Sequence, residues 1–424
     1  MSEYQNIVIV GASAAGHELA NSLFPHLPPT HRILLIDALD YAWWPVANLR
    51  AAITPGWEKR ATATLNDETV FLKGSQHRVI APNKVIELKE NSVVVEKPFE
   101  GSTEIPFFKC ILATGASQPS PMRPPIPSTK DEWINGLVKT QKEIKQATKV
   151  VIIGGGAVGL EVAGEIRVNH PATTITIVHS EPHVMHVTPT APSSEGKVQS
   201  WSSPPTHPKL SIHLEKILHE MDINVILSDK VVIPTSASVA NSTTDEWSGE
   251  FGLQDGIKKV KTTSGKTLEA DYVFISIGNR PNVQLVKEVD EGALVSGLVG
   301  VDEYLKIIST NSASPLVKNY YAIGDCNSYP GWKTLMHAQY DGKGCAVNIL
   351  NEVKGKPLVK YVRPVMSAMV IPMGPDRGAG TMTLPYLGTW HLPEFMVRLM
   401  KSKNLFVDEF FLSRFKGTKK ASIC

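Results

Sequence analysis

The sequence predicts an α/β fold: two Rossmann-like dinucleotide-binding domains, the second inserted in the first, plus a smaller C-terminal α+β region. Three observations predict it. A strand, a glycine turn and a helix follow one another across Lys149–Ile166. A second copy of that pattern lies at Asn6–Leu23. A further short strand, ending in Gly324-Asp325, arrives only after the other pattern is complete.

The 149–166 stretch is the clearest. Val150–Ile153 is an apolar, β-branched run too short for a helix, so it reads as a buried strand. Gly154-Gly155-Gly156-Ala157-Val158-Gly159 follows at G-x-G-x-x-G spacing, and Val158, Val162 and Ile166 then share one helix face. Gly154 permits the tight turn, Gly156 leaves the backbone open to a pyrophosphate, and Gly159 lets helix and strand approach. The phosphate then sits at the positive helix N-terminus. A lone dinucleotide-binding domain usually opens its chain. This motif begins near residue 150 of 424, so another domain precedes it.

That domain starts with the strand Asn6–Val10 and the turn Gly11-Ala12-Ser13-Ala14-Ala15-Gly16, in which Ser13 replaces the middle glycine. The helix His17–Leu23 and the strand Arg32–Ile36 follow. Asp37 stands where a carboxylate binds the ribose hydroxyls of an adenosine, a stronger reading here than a plain helix cap. In Ala42–Arg50, Trp43-Trp44-Pro45 reads as exposed loop aromatics that either cover a flat ring or fill a domain seam. Arg50 reads equally as a partner for a phosphate or ring carbonyl and as a solvated surface arginine. His77–Ile86 and Ser92–Glu96 alternate like antiparallel strands. Phe107–Ala113 is an apolar strand ending in Ala113-Thr114-Gly115, and prolines make Gln118–Pro127 a linker.

In the second domain, Thr174–Val178 ends in His179-Ser180, with no acid at the ribose position and Glu181 just after it. An imidazole and a hydroxyl both hydrogen-bond phosphate, so NADPH is expected to serve at least as well as NADH. Pro182–Pro208 reads as a surface insertion whose His183, His186 and His207 fit no metal spacing. Ala237–Gly256 reads as a polar hairpin, and Asp271–Ile277 as a strand closed by Gly278. Tyr320–Ile323 is the late strand, and Lys333 stands at the entrance of the helix Leu335–Leu350. Tyr361–Val370 reads as a strand and Pro393–Phe415 as one or two helices with exposed apolar residues. The basic tail reads first as a solvated face or dimer seam, and second as a membrane-surface helix.

Composition is ordinary for a globular chain, at 42% hydrophobic and 20% charged. A net charge of +2 gives no support to a nucleic-acid partner. No run of 18 apolar residues marks a transmembrane helix. Met1-Ser2-Glu3-Tyr4 fits neither a secretory signal nor a transit peptide, and Ser2 excludes N-myristoylation. The expected location is cytoplasmic, with peripheral contact to membranes or lipid droplets as its variant, and not secreted. Cys110, Cys326, Cys345 and Cys424 form no close pair, so free thiols are expected and no disulfide, metal site or redox dithiol. The Asn241-Ser242-Thr243 sequon is expected to be idle.

Four motifs carry a resemblance: Gly11–Gly16 with Asp37, Ile111–Gly115, Gly154–Glu161 and Tyr321–Asp325. Together they resemble the two-dinucleotide-binding-domain flavoproteins of the pyridine nucleotide-disulphide oxidoreductase superfamily. Leu49-Arg50-Ala51, residues 399–407 and the missing dithiol resemble its apoptosis-inducing-factor-like branch. The resemblance implies an FAD domain at 1–120 and 284–350, an NAD(P)H domain at 121–283 and a C-terminal interface region at 351–424. It implies FAD contacts by the first turn, Arg50, Val79 and Asp325, and Glu161 near the nicotinamide–flavin junction. The expected catalytic residues are Glu161 and Lys333. The expected cofactor-binding residues are Gly11, Ala12, Ser13, Ala14, Ala15, Gly16, Asp37, Arg50, Val79, Thr114, Gly115, Gly154, Gly156, Gly159, His179, Gly278, Gly324 and Asp325, with no metal.

The implied activity passes hydride from NAD(P)H to FAD and electrons on to a quinone. The alternatives are a protein or radical acceptor, such as ferredoxin or monodehydroascorbate, or a signalling flavoprotein. Leu399–Phe415 is expected to wall the ring face, touch a membrane or take part in a homodimer. Ser13, the His- and Ser-rich insertion and Ser2 depart from the pattern.

Overall fold

The computed structural model describes residues 4–186, 204–234, 245–364 and 367–419. The runs Ile7–Val10 and Ile33–Ile36 contain no polar residue, as strands covered on both faces require. Gln5–Val10 accordingly lies at the centre of a parallel sheet, between His31–Ile36 and Lys109–Leu112. Arg78–Ile80 and Tyr320–Ala322 complete its two edges.

A second sheet runs Asn224–Ile226, Thr174–Val178, Lys149–Ile153, Thr267–Ile275, Gly252–Lys261. Only its last strand is antiparallel. Because Tyr320–Ala322 follows this sheet in the chain yet pairs with Lys109–Leu112, the second domain is inserted in the first. Ser367–Met373, Arg377–Leu384 and Gly388–Leu392 form a third, antiparallel sheet against the helix Ala157–Asn169 of the second domain. No described helix is long and apolar enough to cross a membrane.

The structure departs from the sequence-based expectations at several elements. The first helix begins at Ala14, because Ser13 takes the extended conformation of a cap and ends the turn early. His77–Ile86 is not one antiparallel strand. Arg78–Ile80 pairs in parallel with the 31–36 strand, while Val85–Leu88 turns away to join Ser92–Phe99. The strand expected from Tyr361 starts at Ser367 instead. Before it, Tyr361 and Arg363 are drawn to the buried Asp341 carboxylate, at 2.7 and 2.9 Å. Trp43 and Trp44 are buried, not exposed. Trp44 fills a seam, donating its indole N–H to the Leu405 carbonyl and stacking on Phe411. The segment after Pro393 is one short helix, Glu394–Val397, followed by wider turns through Phe411. Of the Pro182–Pro208 insertion, residues 187–203 lie outside the described residues, as do 235–244 with the sequon and 420–424 with Cys424.

Candidate active site

The two nucleotide turns are built alike. Gly11 and Gly154 take φ of +105° and +111°, where a side chain is strained. A Cβ on Gly16 or Gly159 would lie 1.9 or 2.1 Å from the carbonyl of the turn's own first glycine. The helices therefore start as close to the strands as glycine allows. The direction a Gly156 side chain would take is open, and the Ser13 hydroxyl makes no capping bond. Asp37 receives the Ala12 N–H at 2.6 Å and the Leu39 N–H at 2.9 Å. Burial raises its pKa, and those two amides offset part of the rise.

A cleft of about 330 Å³ opens over the first turn. Gly11, Ser13, Ala14, Ala15, Asp37, Thr114, Gly115, Gly324, Asp325 and Lys333 line it, so most of the expected first-site residues come together. Ala12 and Gly16 stand in the turn itself. Trp43, Pro45 and Val46 form another part of the wall, so the tryptophan pair serves both readings: Trp43 faces the cleft and Trp44 the seam. Asp325 accepts a hydrogen bond from Arg123 at 3.2 Å, and Arg123 lies over the Trp43 ring. Thr114 and Asn282 exchange hydrogen bonds of 2.8 Å, joining the two domains beside the cleft.

A second cleft, about 540 Å³, opens over the second turn. Gly154, Gly156 and His179 line it, with Asp229 and Lys230 across from them. The Gly155 N–H donates to His179 Nδ1 at 3.2 Å, so the neutral ring carries its proton on Nε2. Burial keeps that ring below the ordinary histidine pKa, and its Nε2 is buried without a partner. An orphaned donor at the ribose position, an open Gly156 and a free Ser13 hydroxyl fit a dinucleotide in each cleft.

Lys333 and Thr334 line both clefts. Lys333 Nζ donates to the Asn327 carbonyl at 2.5 Å and to Asn327 Oδ1 at 2.9 Å. Burial, then the Arg363 charge, draws its pKa down to about 8.

Four expected residues are placed elsewhere. Arg50 does not line the first cleft: its buried guanidinium pairs with Glu165 at 2.6 Å and lies over Trp57. Val79 donates its N–H to Asp67 at 2.5 Å, so the start of the helix Asp67–Val70 occupies that donor. Glu161 lines neither cleft, because Lys401 holds its carboxylate at 2.9 Å against the C-terminal sheet. Gly278, at φ +93°, follows the lining residue Ile277 without lining the cleft itself. Leu399–Phe415 walls neither cleft; Leu405, Val407 and Phe411 pack behind Trp44 instead.

Sequence reasoning missed Arg123, Lys230, Trp332 and Met369. Lys230 sits in a polar loop just after a strand of the second sheet, a signal of the same kind as His179. Arg123 lies in a proline-rich linker and carried no signal. His183 turned out to bond Glu215 at 3.1 Å. The three described cysteines are buried and free.

The family model of the pyridine nucleotide-disulphide oxidoreductases matches residues 5–342. Among curated proteins, the chain is similar to ferroptosis suppressor protein 1 of Mus musculus, 27% identical over 408 residues, covering 95% of this chain and 94% of that one. It is similar to apoptosis-inducing factor homolog B of Dictyostelium discoideum, 24% identical over 421 residues and 96% of each chain. Among solved structures, an NAD-dependent persulfide reductase from A. fulgidus shares the fold with a TM-score of 0.59 at 19% identity, covering 90% of this chain and 64% of that one. A covalent putidaredoxin reductase–putidaredoxin complex gives 0.59 at 17% identity, covering 91% and 82%.

Proposed function

Since the chain belongs to the pyridine nucleotide-disulphide oxidoreductase family, with FAD and NAD(P)H as its cofactors, we propose that it is an NAD(P)H:quinone oxidoreductase. The observation that carries this reading is the wall of Lys333 and Thr334 common to both clefts, with no cysteine on the helix of the first turn. Bound FAD supplies a carrier that takes two electrons from a nicotinamide and passes them on. The protein's part is position and charge.

The first turn and Asp37 hold the adenosine and diphosphate end. Asp325, fixed by Arg123, offers a carboxylate oxygen to a hydroxyl of the ligand. Lys333 holds a proton at Nζ on the shared wall, where its lowered pKa lets it give up that proton near neutral pH. With no cysteine pair beside the cleft among the described residues, electrons would pass directly to a flat two-electron acceptor. His179 and Lys230 favour a 2′-phosphate, and so NADPH at least equally with NADH.

A steady-state screen tests the reading, with NADH and NADPH each run against ubiquinone analogues, ferricyanide, ferredoxin and monodehydroascorbate. Ubiquinone analogues should give the highest kcat/KM among the physiological acceptors. Faster turnover of ferredoxin or monodehydroascorbate would replace the quinone assignment. Slow turnover with every acceptor would point to a signalling flavoprotein.

A further inference from the structure

Asp341 is 0% exposed, in the helix Leu335–Val353. Its carboxylate gathers donors from the turn that follows the late strand and from Tyr361 and Arg363. Oδ1 accepts the Tyr361 hydroxyl at 2.7 Å and Arg363 Nε at 3.0 Å. Oδ2 accepts Arg363 Nη2 at 2.9 Å, Asn327 Nδ2 at 2.9 Å and the Gly324 N–H at 3.1 Å. A buried ion pair is weak evidence for stability by itself. What this one does is orient its neighbours.

Asn327 shows how. An ionised carboxylate only accepts, so the buried Asn327 amide must turn its nitrogen to Asp341. Its oxygen is left facing the other way, where Lys333 Nζ donates to it at 2.9 Å. Flipped, the amide would set its N–H groups against the ammonium. The same carboxylate holds the Gly324 N–H, and with it the start of the turn that carries Asp325 into the first cleft. Arg363 braces the loop between them by donating to the Pro330 carbonyl at 2.8 Å.

Charge runs through the same groups. After burial, the Arg363 charge is what acts most against the Lys333 proton, while Asp341, Cys326 and Asp325 act for it. Burial holds the Cys326 thiol above its ordinary pKa, so it is uncharged at neutral pH. Asp325 is already paired with Arg123. His337, bonded to Thr334 on the same wall, is kept below the ordinary histidine pKa by burial and is neutral. The opposed charges left to decide the Lys333 proton are Arg363 and Asp341.

Resting on the role given above to that proton, we propose that Asp341 and Arg363 are positioning residues for Lys333. Through Asn327 the pair fixes where the ammonium stands on the wall common to both clefts. By its two opposed charges it sets the pH at which the proton leaves.

Acylation of Lys333 tests this on the FAD-loaded protein, with no acceptor present. Only the neutral amine reacts with acetic anhydride. The labelling rate of the Lys333 peptide, read by mass spectrometry across a pH series, therefore gives the midpoint of proton loss, expected at about 8. Arg363→Gln keeps a donor for Asp341 but drops the charge, and its midpoint should rise by about one unit. Arg363→Lys keeps the charge and should stay near the wild type. Asp341→Asn should move the midpoint the other way, because Arg363 is then unopposed. A folded, FAD-loaded Arg363→Gln protein with the wild-type midpoint would overturn the proposal whatever its Tm, since a merely structural pair costs stability alone. Shifts of the same sign in Arg363→Gln and Asp341→Asn would equally overturn it. Where Asp341→Asn does not fold, the two Arg363 variants decide. Shifts of the expected signs in a protein that reduces no quinone would uphold the pair and remove the quinone assignment.

Discussion

His77 and His17 show what burial does to a single side chain. The Ile33 N–H donates to His77 Nδ1 at 3.1 Å, and burial lowers the His77 pKa to about 4. Burial also holds His17 well below 6.5, with the Arg414 charge adding to it. The unfolded chain takes up protons near pH 6.5, and the folded chain refuses them until far lower. Stability is therefore full above pH 6.5 and is lost as pH falls towards 4. Urea midpoints at pH 7.5 and pH 5.0 should differ in that direction, and His77→Asn, which keeps an acceptor, should narrow the gap. Lys230 belongs to the same scale. Removing a charge-assisted bond to a phosphate costs about 1.5–3 kcal/mol, so Lys230→Glu should lower kcat/KM for NADPH about tenfold or more and spare NADH. Unchanged cofactor preference in that variant would remove Lys230 from the phosphate site. Both turns were legible in the sequence because each residue's task is local: Gly11 and Gly154 need only their own φ, Gly16 and Gly159 only a nearby carbonyl. The ion pairs of Arg50 with Glu165 and of Glu161 with Lys401 were not legible, because the partners lie far along the chain and no spacing rule reaches them.

Between elements, the short helix Asn48–Ala51 meets Ala157–Asn169 through Arg50 and Glu165, whose side chains are 2% and 4% exposed. Removing one member of such a buried pair leaves the other charge uncompensated, at about 3–5 kcal/mol. Glu165→Leu should lower stability by about that amount, and adding Arg50→Met should recover part of it, since replacing both charges with apolar groups is often near neutral. Equal losses in the single and double variants would show that packing, not charge, sets the cost. At this scale the parallel strands were readable from unbroken apolar runs such as Ile7–Val10. The strand expected at Tyr361 was not, because Asp341, in the preceding helix, draws Tyr361 and Arg363 out of it.

For the whole molecule, the absence of a cysteine pair beside the first cleft among the described residues predicts that electron transfer needs no thiol. Cys110, Cys326 and Cys345 are buried, so alanine is the substitution that avoids an unsatisfied hydroxyl. A protein carrying C110A, C326A, C345A and C424A should hold FAD and reduce quinones at close to the wild-type rate. Folded, FAD-loaded but inactive protein would end the direct-transfer mechanism. The insertion itself was legible, because the late Gly324-Asp325 strand announced it.

That inserted order has a consequence during synthesis. Lys109–Leu112 leaves the ribosome roughly 200 residues before Tyr320–Ala322, the neighbour that covers its edge. At about 5–20 residues per second, the first sheet waits roughly 10 to 40 s with that apolar edge unpaired, while the intervening domain can already fold. Nascent chains arrested near residue 300 should therefore be captured by chaperones more than chains arrested near residue 400. Equal capture of the two would mean that the open edge is covered by some other part of the growing chain.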